Sequence, residues 1–154
     1  MLDESSVLPD ALVAVKADAQ ARGLPFAGGV APALAWRLFS NQEVLLIDVR
    51  TAEERKFVGH VPGSVHVAWA SGTALTRNPR FVRELESKIG GKDAVALLLC
   101  RSGKRSALAA EAATKAGLGA IFNVLEGFEG DIDQALQRGK SDGWRFRGLP
   151  WVQD

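Results

Sequence analysis

Two short, uninterrupted apolar runs constrain the fold of this chain more than any other feature. They cover residues 44–47 (VLLI) and 95–99 (VALLL). A run of this kind, without polar alternation, is typical of a strand that is covered on both faces. Helical patterns lie between these runs and before a further apolar run at 121–124. Alternating strands and helices predict an α/β fold in which a parallel sheet carries helices on both faces.

The remaining elements follow from helical spacing, caps and stops. We expect an amino-terminal helix over 9–23, capped by Asp10 and stopped by Gly23, and a last helix over 131–138. We divide the chain into an amino-terminal helical extension, 1–24, and a single domain, 25–154. The other predicted strands lie at 26–30 and 65–67, and the other predicted helices at 32–39, 51–57, 79–89 and 107–116. The helix at 51–57 begins with a TAEE capping box, and the helix at 79–89 has Asn78 as its cap and Pro79 at its first position.

Composition excludes several classes of function. The 154 residues fit one domain, and a formal net charge of +1 provides no global field that would attract nucleic acid or an anionic membrane. The acidic amino terminus lacks the features of a secretory signal, and no apolar run approaches the ~18 residues of a membrane span. One cysteine excludes an internal disulfide, and with only His60 and His66 beside it we expect no metal site. A lone thiol survives best in a reducing compartment, so we expect a cytoplasmic protein.

The single cysteine stands where a predicted strand meets a predicted helix. It opens the loop Cys100, Arg101, Ser102, Gly103, Lys104, Arg105 and Ser106. Backbone N–H groups in such a turn can converge on an anion, the following helix adds partial positive charge, and three basic side chains stand nearby. All three effects favour the thiolate, which is the reactive form. A free cysteine that ends an apolar strand is ordinarily inert and buried, but the basic, glycine-containing loop favours a reactive one.

Three stretches, in this order and spacing, carry a family resemblance. They are LIDVR at 46–50 with Glu53 and Glu54 after it, GHVPGS at 59–64, and CRSGKRS at 100–106. Together they resemble the rhodanese (sulfurtransferase) family in its single-domain form, over roughly residues 30–151. The resemblance implies a rhodanese-like three-layer α/β fold with a central parallel β-sheet flanked by helices. It also implies that Cys100 takes a sulfane sulfur from a donor such as thiosulfate and passes it, as a persulfide, to cyanide or a thiol.

The resemblance and the chemistry of the loop together assign roles to the site residues. Residues 101–106 are expected to form a substrate cradle, in which Gly103 allows the tight turn and the basic side chains attract an anionic donor. At the neighbouring strand end, Asp48 is expected to brace the loop and Arg50 to contact substrate, although a catalytic role for Asp48 stays open. No cofactor is implied beyond the transferred sulfur. His60, His66 and the four tryptophans are interpreted as structural.

Two alternative functions stay open. Cysteine phosphatases and arsenate reductases place five residues between cysteine and arginine, whereas four separate Cys100 from Arg105 here, which narrows the cradle and disfavours a tetrahedral phosphate. A non-catalytic or sulfur-carrier module is the second alternative, and the retained cysteine favours activity over it.

A small sulfur-donor anion and a cyanide or thiol acceptor are the expected partners, with a protein sulfur acceptor as a further option. The natural donor also stays open among thiosulfate, a cysteine desulfurase persulfide, glutathione persulfide and mercaptopyruvate.

Overall fold

The computed structural model describes residues 8–154, which form an α/β fold. The helices are α1 (Asp10–Ala21), α2 (Pro32–Ser40), α3 (Ala52–Phe57), α4 (Phe81–Ile89) and α5 (Lys104–Lys115). The strands are β1 (Gly29–Val30), β2 (Leu45–Asp48), β3 (Val65–His66), β4 (Ala70–Ser71), β5 (Thr76–Arg77), β6 (Ala96–Leu99) and β7 (Ile121–Val124). Five strands form one sheet in the order β1-β7-β6-β2-β3, and every neighbouring pair in it is parallel. The predicted central parallel sheet flanked by helices is confirmed.

The two faces of the sheet bury different helices. Successive strand residues point to opposite faces, so Leu97 and Leu99 pack with α1 and α2, whereas Leu98 and Cys100 pack with α4 and α5. The central strands β2 and β6 are therefore covered on both sides, as their continuous apolar character predicts. Because β2 and β6 are adjacent and parallel, their carboxyl ends bring Asp48 and Cys100 to the same edge of the sheet.

The helix predicted at 131–138 is wrong. This segment is a series of turns instead, with Leu136 in the left-handed region at φ 61°. The carboxylate of Asp133 accepts hydrogen bonds from the backbone N–H groups of Ala135 and Gln137, both at 2.9 Å. Asp side chains offer the backbone such an alternative to helical bonding, and here that local alternative prevails.

Smaller differences concern the bounds of three elements and one additional pair of strands. Helix α4 starts at Phe81, because the Asn78 side chain caps the preceding turn by accepting from the Arg80 N–H. In α1 the N-cap is Pro9, so Asp10 lies in the first turn. The strand predicted over 26–30 is limited to Gly29–Val30, and the antiparallel pair of β4 and β5 was not predicted.

The described part of the amino-terminal segment, residues 8–24, packs against the rest of the fold. Leu12 is fully buried, in one cluster with residues of β2, β6 and β7. Residues 1–7 of the proposed extension lie outside the described residues. Within 8–154, no helix has both the length and the apolar character that crossing a membrane requires.

Candidate active site

Cys100 lies at the end of β6 with its sulfur turned toward the start of α5. Its side chain is almost wholly buried, at 1% exposure. The Gly103 N–H donates to Sγ at 3.1 Å, and the Ser106 Oγ lies 3.2 Å from Sγ. Gly103 is the N-cap of α5 and has φ 99°, a left-handed conformation that returns the chain toward the sulfur and favours glycine. The structure thus places a backbone donor and a hydroxyl against the only thiol.

Further backbone donors surround the same turn. Among residues 8–154, the N–H groups of Ser102, Lys104 and Arg105 have no protein acceptor. The first N–H groups of any helix lack an intrahelical acceptor and together carry a partial positive charge. The loop is therefore rich in donors that a bound anion could use.

The three basic side chains of the loop have different environments. Arg101 and Lys104 are exposed, whereas Arg105 is half-buried and ion-paired with Glu54. That pair is bidentate, with Nη1 to Oε1 at 2.7 Å and Nη2 to Oε2 at 2.8 Å. Two parallel hydrogen bonds to one carboxylate hold a guanidinium in one orientation. Arg105 is thus an anchored cation, and Arg101 and Lys104 are the loop cations that face solvent.

Glu54 is the residue that fixes Arg105. Burial by itself would raise its pKa, but hydrogen bonds from Arg105 and the Thr51 backbone, with the charges of Arg105 and Arg50, outweigh burial and lower the pKa of Glu54 to about 2. The hydrogen bond to Glu54 correspondingly raises the pKa of Arg105. Glu54 also completes the predicted capping box with Thr51, which is confirmed. One carboxylate therefore starts α3 and holds a loop cation.

A cavity of about 390 Å³ opens beside the loop. Its charged lining is Glu53, Glu54, Arg101, Arg105, Glu129 and Arg138. Cys100 contributes no surface to this cavity, in keeping with its burial. A larger cavity of about 470 Å³ lies against α1, but its lining is mainly apolar and holds no nucleophile, so the chemistry points to the smaller one.

Asp48 and Arg50 form a buried ion pair away from the cavity. Both side chains are fully buried, with Arg50 Nη2 at 2.8 Å from Asp48 Oδ2. Arg50 Nη2 also donates to the Gly59 carbonyl at 2.7 Å, and the guanidinium lies 4.3 Å from the centre of the Phe128 ring. Arg50 has no exposed surface with which to contact a substrate, so the structure gives it a structural role instead of the predicted contact.

Asp48 braces a different loop from the one predicted. Besides Arg50, its carboxylate accepts from Arg55 Nη1 at 3.0 Å, and the same Arg55 nitrogen donates to Ser64 Oγ. These contacts tie together the segment 50–64, and none of them reaches residues 100–106. The cause is that a buried carboxylate needs charged partners, and Arg50 and Arg55, which follow β2 closely in the chain, supply the nearest guanidinium groups.

The two histidines, Trp36 and Trp144 make hydrogen-bond and packing contacts within the fold. His66 Nε2 lies 2.7 Å from the Arg50 carbonyl oxygen, and the backbone of His60 forms a bridge with Val152. Trp144 is fully buried, and Trp36 packs edge-on against it with ring centres 6.2 Å apart. None of these contacts involves the sulfur.

Sequence reasoning missed the segment that supports the loop from behind. The Phe128 N–H donates to the Cys100 carbonyl at 2.7 Å, and the N–H groups of Glu129 and Gly130 donate to the Arg101 carbonyl. Gly127 has φ 70°, and a Cβ there would lie 2.4 Å from the Arg101 carbonyl carbon. The signal in the sequence was the pair of glycines in the GFEG stretch at 127–130, but only the structure shows which parts of the chain these glycines lie against.

Comparison with known proteins decides the family. Residues 31–133 match the family model described as the rhodanese-like domain. The chain belongs to this family. An uncharacterized protein of Rickettsia prowazekii, RP600, is 36% identical over 117 residues, covering 74% of this rhodanese-like chain and 87% of the relative.

Solved structures agree with the assignment. The crystal structure of Rv0390 from M. tuberculosis is 41% identical with a TM-score of 0.71, covering 84% of this chain and 99% of that one. A polysulfide-sulfur transferase homodimer from Wolinella succinogenes is 23% identical with a TM-score of 0.55, covering 92% and 89% of the two chains. At this lower identity the second likeness shows the fold alone.

Proposed function

We propose that this rhodanese-like chain is a sulfurtransferase in which Cys100 carries the sulfur. Thiosulfate is the proposed donor: Sγ of the thiolate attacks its outer sulfur, the S–S bond breaks, and sulfite leaves with the bonding electron pair. A cyanide or thiolate acceptor then attacks the outer sulfur of the persulfide, and Cys100 leaves as thiolate. The observation that carries the proposal is the Gly103 N–H on Sγ at 3.1 Å, at the start of α5.

The surrounding donors suit the charge of the intermediate. A persulfide bears its negative charge on the outer sulfur, and preorganised N–H groups stabilise such charge without reorganisation of solvent. Ser102, Lys104 and Arg105 contribute N–H groups that have no other protein acceptor within 8–154. Because Sγ is almost wholly buried, a donor must present a small or extended reacting group. The outer sulfur of thiosulfate is such a group.

The exposed and anchored cations have separate tasks in this proposal. Arg101 and Lys104 attract the dianionic donor from solvent, and their effect weakens as salt is added. Arg105, held by Glu54, supplies a fixed positive charge beside the loop and favours the departing sulfite. We place the reaction in the cytoplasm, where the lone thiol stays reduced.

The direct test is formation of thiocyanate from thiosulfate and cyanide by the purified chain. We expect turnover by the natural protein and none by Cys100→Ser, which preserves size and polarity. Unchanged turnover in Cys100→Ser would refute the proposal. Hydrolysis of an aryl phosphate that depends on Cys100, without thiocyanate formation, would favour the phosphatase alternative instead. A stable Cys100 persulfide that passes no sulfur to cyanide or small thiols would favour the carrier alternative.

A further inference from the structure

Beneath the sulfur lies a buried chain of polar groups that the proposed reaction leaves unexplained. Ser106 is fully buried in the first turns of α5, and Asn123 on β7 is 5% exposed. Ser106 Oγ lies 3.2 Å from Cys100 Sγ and 2.5 Å from Asn123 Oδ1. Asn123 Nδ2 donates to the Gly103 carbonyl at 3.2 Å. The chain therefore begins and ends on the catalytic loop.

The orientation of the Asn123 amide is set by its two neighbours. The Gly103 carbonyl can only accept, so the NH₂ group must face it, and Oδ1 must then face Ser106. A carboxamide oxygen can only accept as well. The Ser106 hydroxyl is consequently the donor in its contact with Asn123.

Counting protons shows which states of the sulfur this network satisfies. A serine hydroxyl has one proton to donate. In the thiol state, S–H donates to Ser106 Oγ, Ser106 donates to Asn123, and every group is satisfied. A thiolate has no proton and needs donors, so Ser106 must then choose between Sγ and Asn123 Oδ1. If it donates to Sγ, Asn123 Oδ1 loses its donor; if it donates to Asn123, the thiolate keeps only backbone donors such as the Gly103 N–H.

The persulfide removes this conflict. When Cys100 carries a second sulfur, Sγ is bonded to both Cβ and the outer sulfur, and the negative charge lies on the outer sulfur. Sγ no longer competes for the Ser106 proton, which returns to Asn123. The resting thiolate is thus the one state in the cycle in which Sγ and Asn123 Oδ1 compete for the Ser106 proton.

We propose that Ser106 and Asn123 are a positioning pair in which Asn123 competes with the Cys100 thiolate for the single Ser106 proton, so that Asn123 disfavours the empty thiolate relative to the sulfur-loaded form. This inference rests on the proposed function for its consequence, although the proton conflict itself does not require sulfur transfer. Asn123 acts only through Ser106. The pair therefore tunes how strongly the site retains sulfur, while the loop donors hold the outer sulfur.

The experiment measures alkylation of Cys100 by iodoacetamide as a function of pH, followed by intact mass. Because Cys100 is the only cysteine, every modified molecule reports on this thiol. Asn123→Leu frees Ser106 to donate to the thiolate, and we expect roughly tenfold faster alkylation at a fixed pH below the midpoint of the profile. Ser106→Ala removes the donor, and its profile should move to higher pH. The control Thr114→Val removes another hydroxyl of α5, away from the sulfur, and should leave the profile unchanged.

The double variant gives the decisive comparison. In the Ser106→Ala background, Asn123→Leu should have no further effect on the profile, because its influence passes through the absent hydroxyl. Additive shifts, or an Asn123→Leu profile equal to the natural one, would overturn the inference. If Asn123→Leu fails to fold, Asn123→Ala removes the same acceptor and must shift the profile in the same direction.

The charged groups near the sulfur stay constant in all these variants. They are Arg101 on the loop, Lys104 and Arg105 at the start of α5, Glu54 on α3, Asp48 at the end of β2, and Glu129 in the supporting segment. A second measurement, the fraction of persulfide retained after exposure to a thiol, should fall in Asn123→Leu. If the variants alkylate as predicted but the natural chain forms no persulfide, the proposed function is refuted and the positioning pair is not. If the natural chain forms the persulfide but the variants alkylate like the natural chain, the positioning pair is refuted and the proposed function is not.

Discussion

The ion pair between Glu54 and Arg105 allows a quantitative prediction, because one carboxylate both caps α3 and anchors a loop cation. The change is Glu54→Gln, since glutamine keeps the shape and can still accept from the Thr51 N–H. It removes the charge that Arg105 neutralises, and it replaces one of the two oxygens that accept from Arg105 at 2.7 and 2.8 Å by an amide NH₂ group. The matched control is Glu53→Gln, because Glu53 is exposed in the same helical turn.

The magnitude follows from the pKa of Glu54. Lowering that pKa from its ordinary value of 4.5 to about 2 corresponds to roughly 3 kcal/mol of folding free energy, at about 1.4 kcal/mol for each pH unit. The Glu54 side chain is 19% exposed, so solvent screening reduces the expected effect to about 2 kcal/mol. The folded pKa is depressed, so this stability is fully present above pH 4.5 and is lost as the pH falls toward 2.

The assay is urea unfolding, followed by tryptophan fluorescence, at pH 7 and pH 3. At pH 7 we expect Glu54→Gln to lose about 2 kcal/mol of unfolding free energy and Glu53→Gln to lose about 0.5 kcal/mol or less. At pH 3 the Glu54→Gln deficit should be roughly half as large, because Glu54 of the unfolded natural chain is then protonated, which stabilises the unfolded state. Equal deficits for the two variants, or a Glu54→Gln deficit that does not change with pH, would refute this reasoning.

Three further predictions concern the loop and its supports. Gly127→Ala should destabilise the fold by several kcal/mol and impair the loop, because its Cβ would meet the Arg101 backbone at 2.4 Å. The control Gly148→Ala, also at positive φ but with open space around it, should cost only about 1 kcal/mol. Similar unfolding midpoints for the two variants would contradict this prediction. Arg101→Ala should raise the KM for thiosulfate at low salt, and the difference from the natural chain should shrink at high salt. The control Lys115→Ala, at the far end of α5, should leave the KM unchanged. A KM change that does not depend on salt would exclude electrostatic attraction of the donor by Arg101. Arg50→Met should lower the unfolding free energy by about 3 kcal/mol, because the buried Asp48 carboxylate then keeps only Arg55 as a charged partner. A change in KM with full stability would instead support the predicted substrate contact.

Local patterns in the sequence predicted most of the framework. The apolar runs at 44–47 and 95–99 became the adjacent strands β2 and β6, because continuous burial leaves a continuous apolar signal. The capping box at Thr51 was predictable because both partners lie within one helical turn. At 131–138 a helical pattern gave way to turns, because the Asp133 carboxylate bonds the backbone locally.

The sequence alone could not show which residues far apart in the chain meet in the fold. Glu54 and Arg105 are 51 residues apart, and nothing local indicates that they meet. Arg50 was expected to contact substrate because it follows a strand end, whereas the fold pairs it with Asp48 in the interior. A charged residue is almost never fully buried unless it is paired, and the sequence did not show this pairing. The contact between Ser106 and Asn123 also depends on how α5 packs against β7. The sequence indicated Cys100 as the candidate nucleophile, and the structure shows which groups hold its sulfur.

The central claim is that Cys100 carries one transferable sulfur atom, and the mass of the intact chain tests it most directly. After incubation with thiosulfate and removal of the excess, the natural chain should gain the mass of one sulfur atom, mapped to the peptide containing Cys100. Cyanide should then remove that mass, and Cys100→Ser should never acquire it. No added sulfur on the natural chain, or the same addition on Cys100→Ser, would contradict the account.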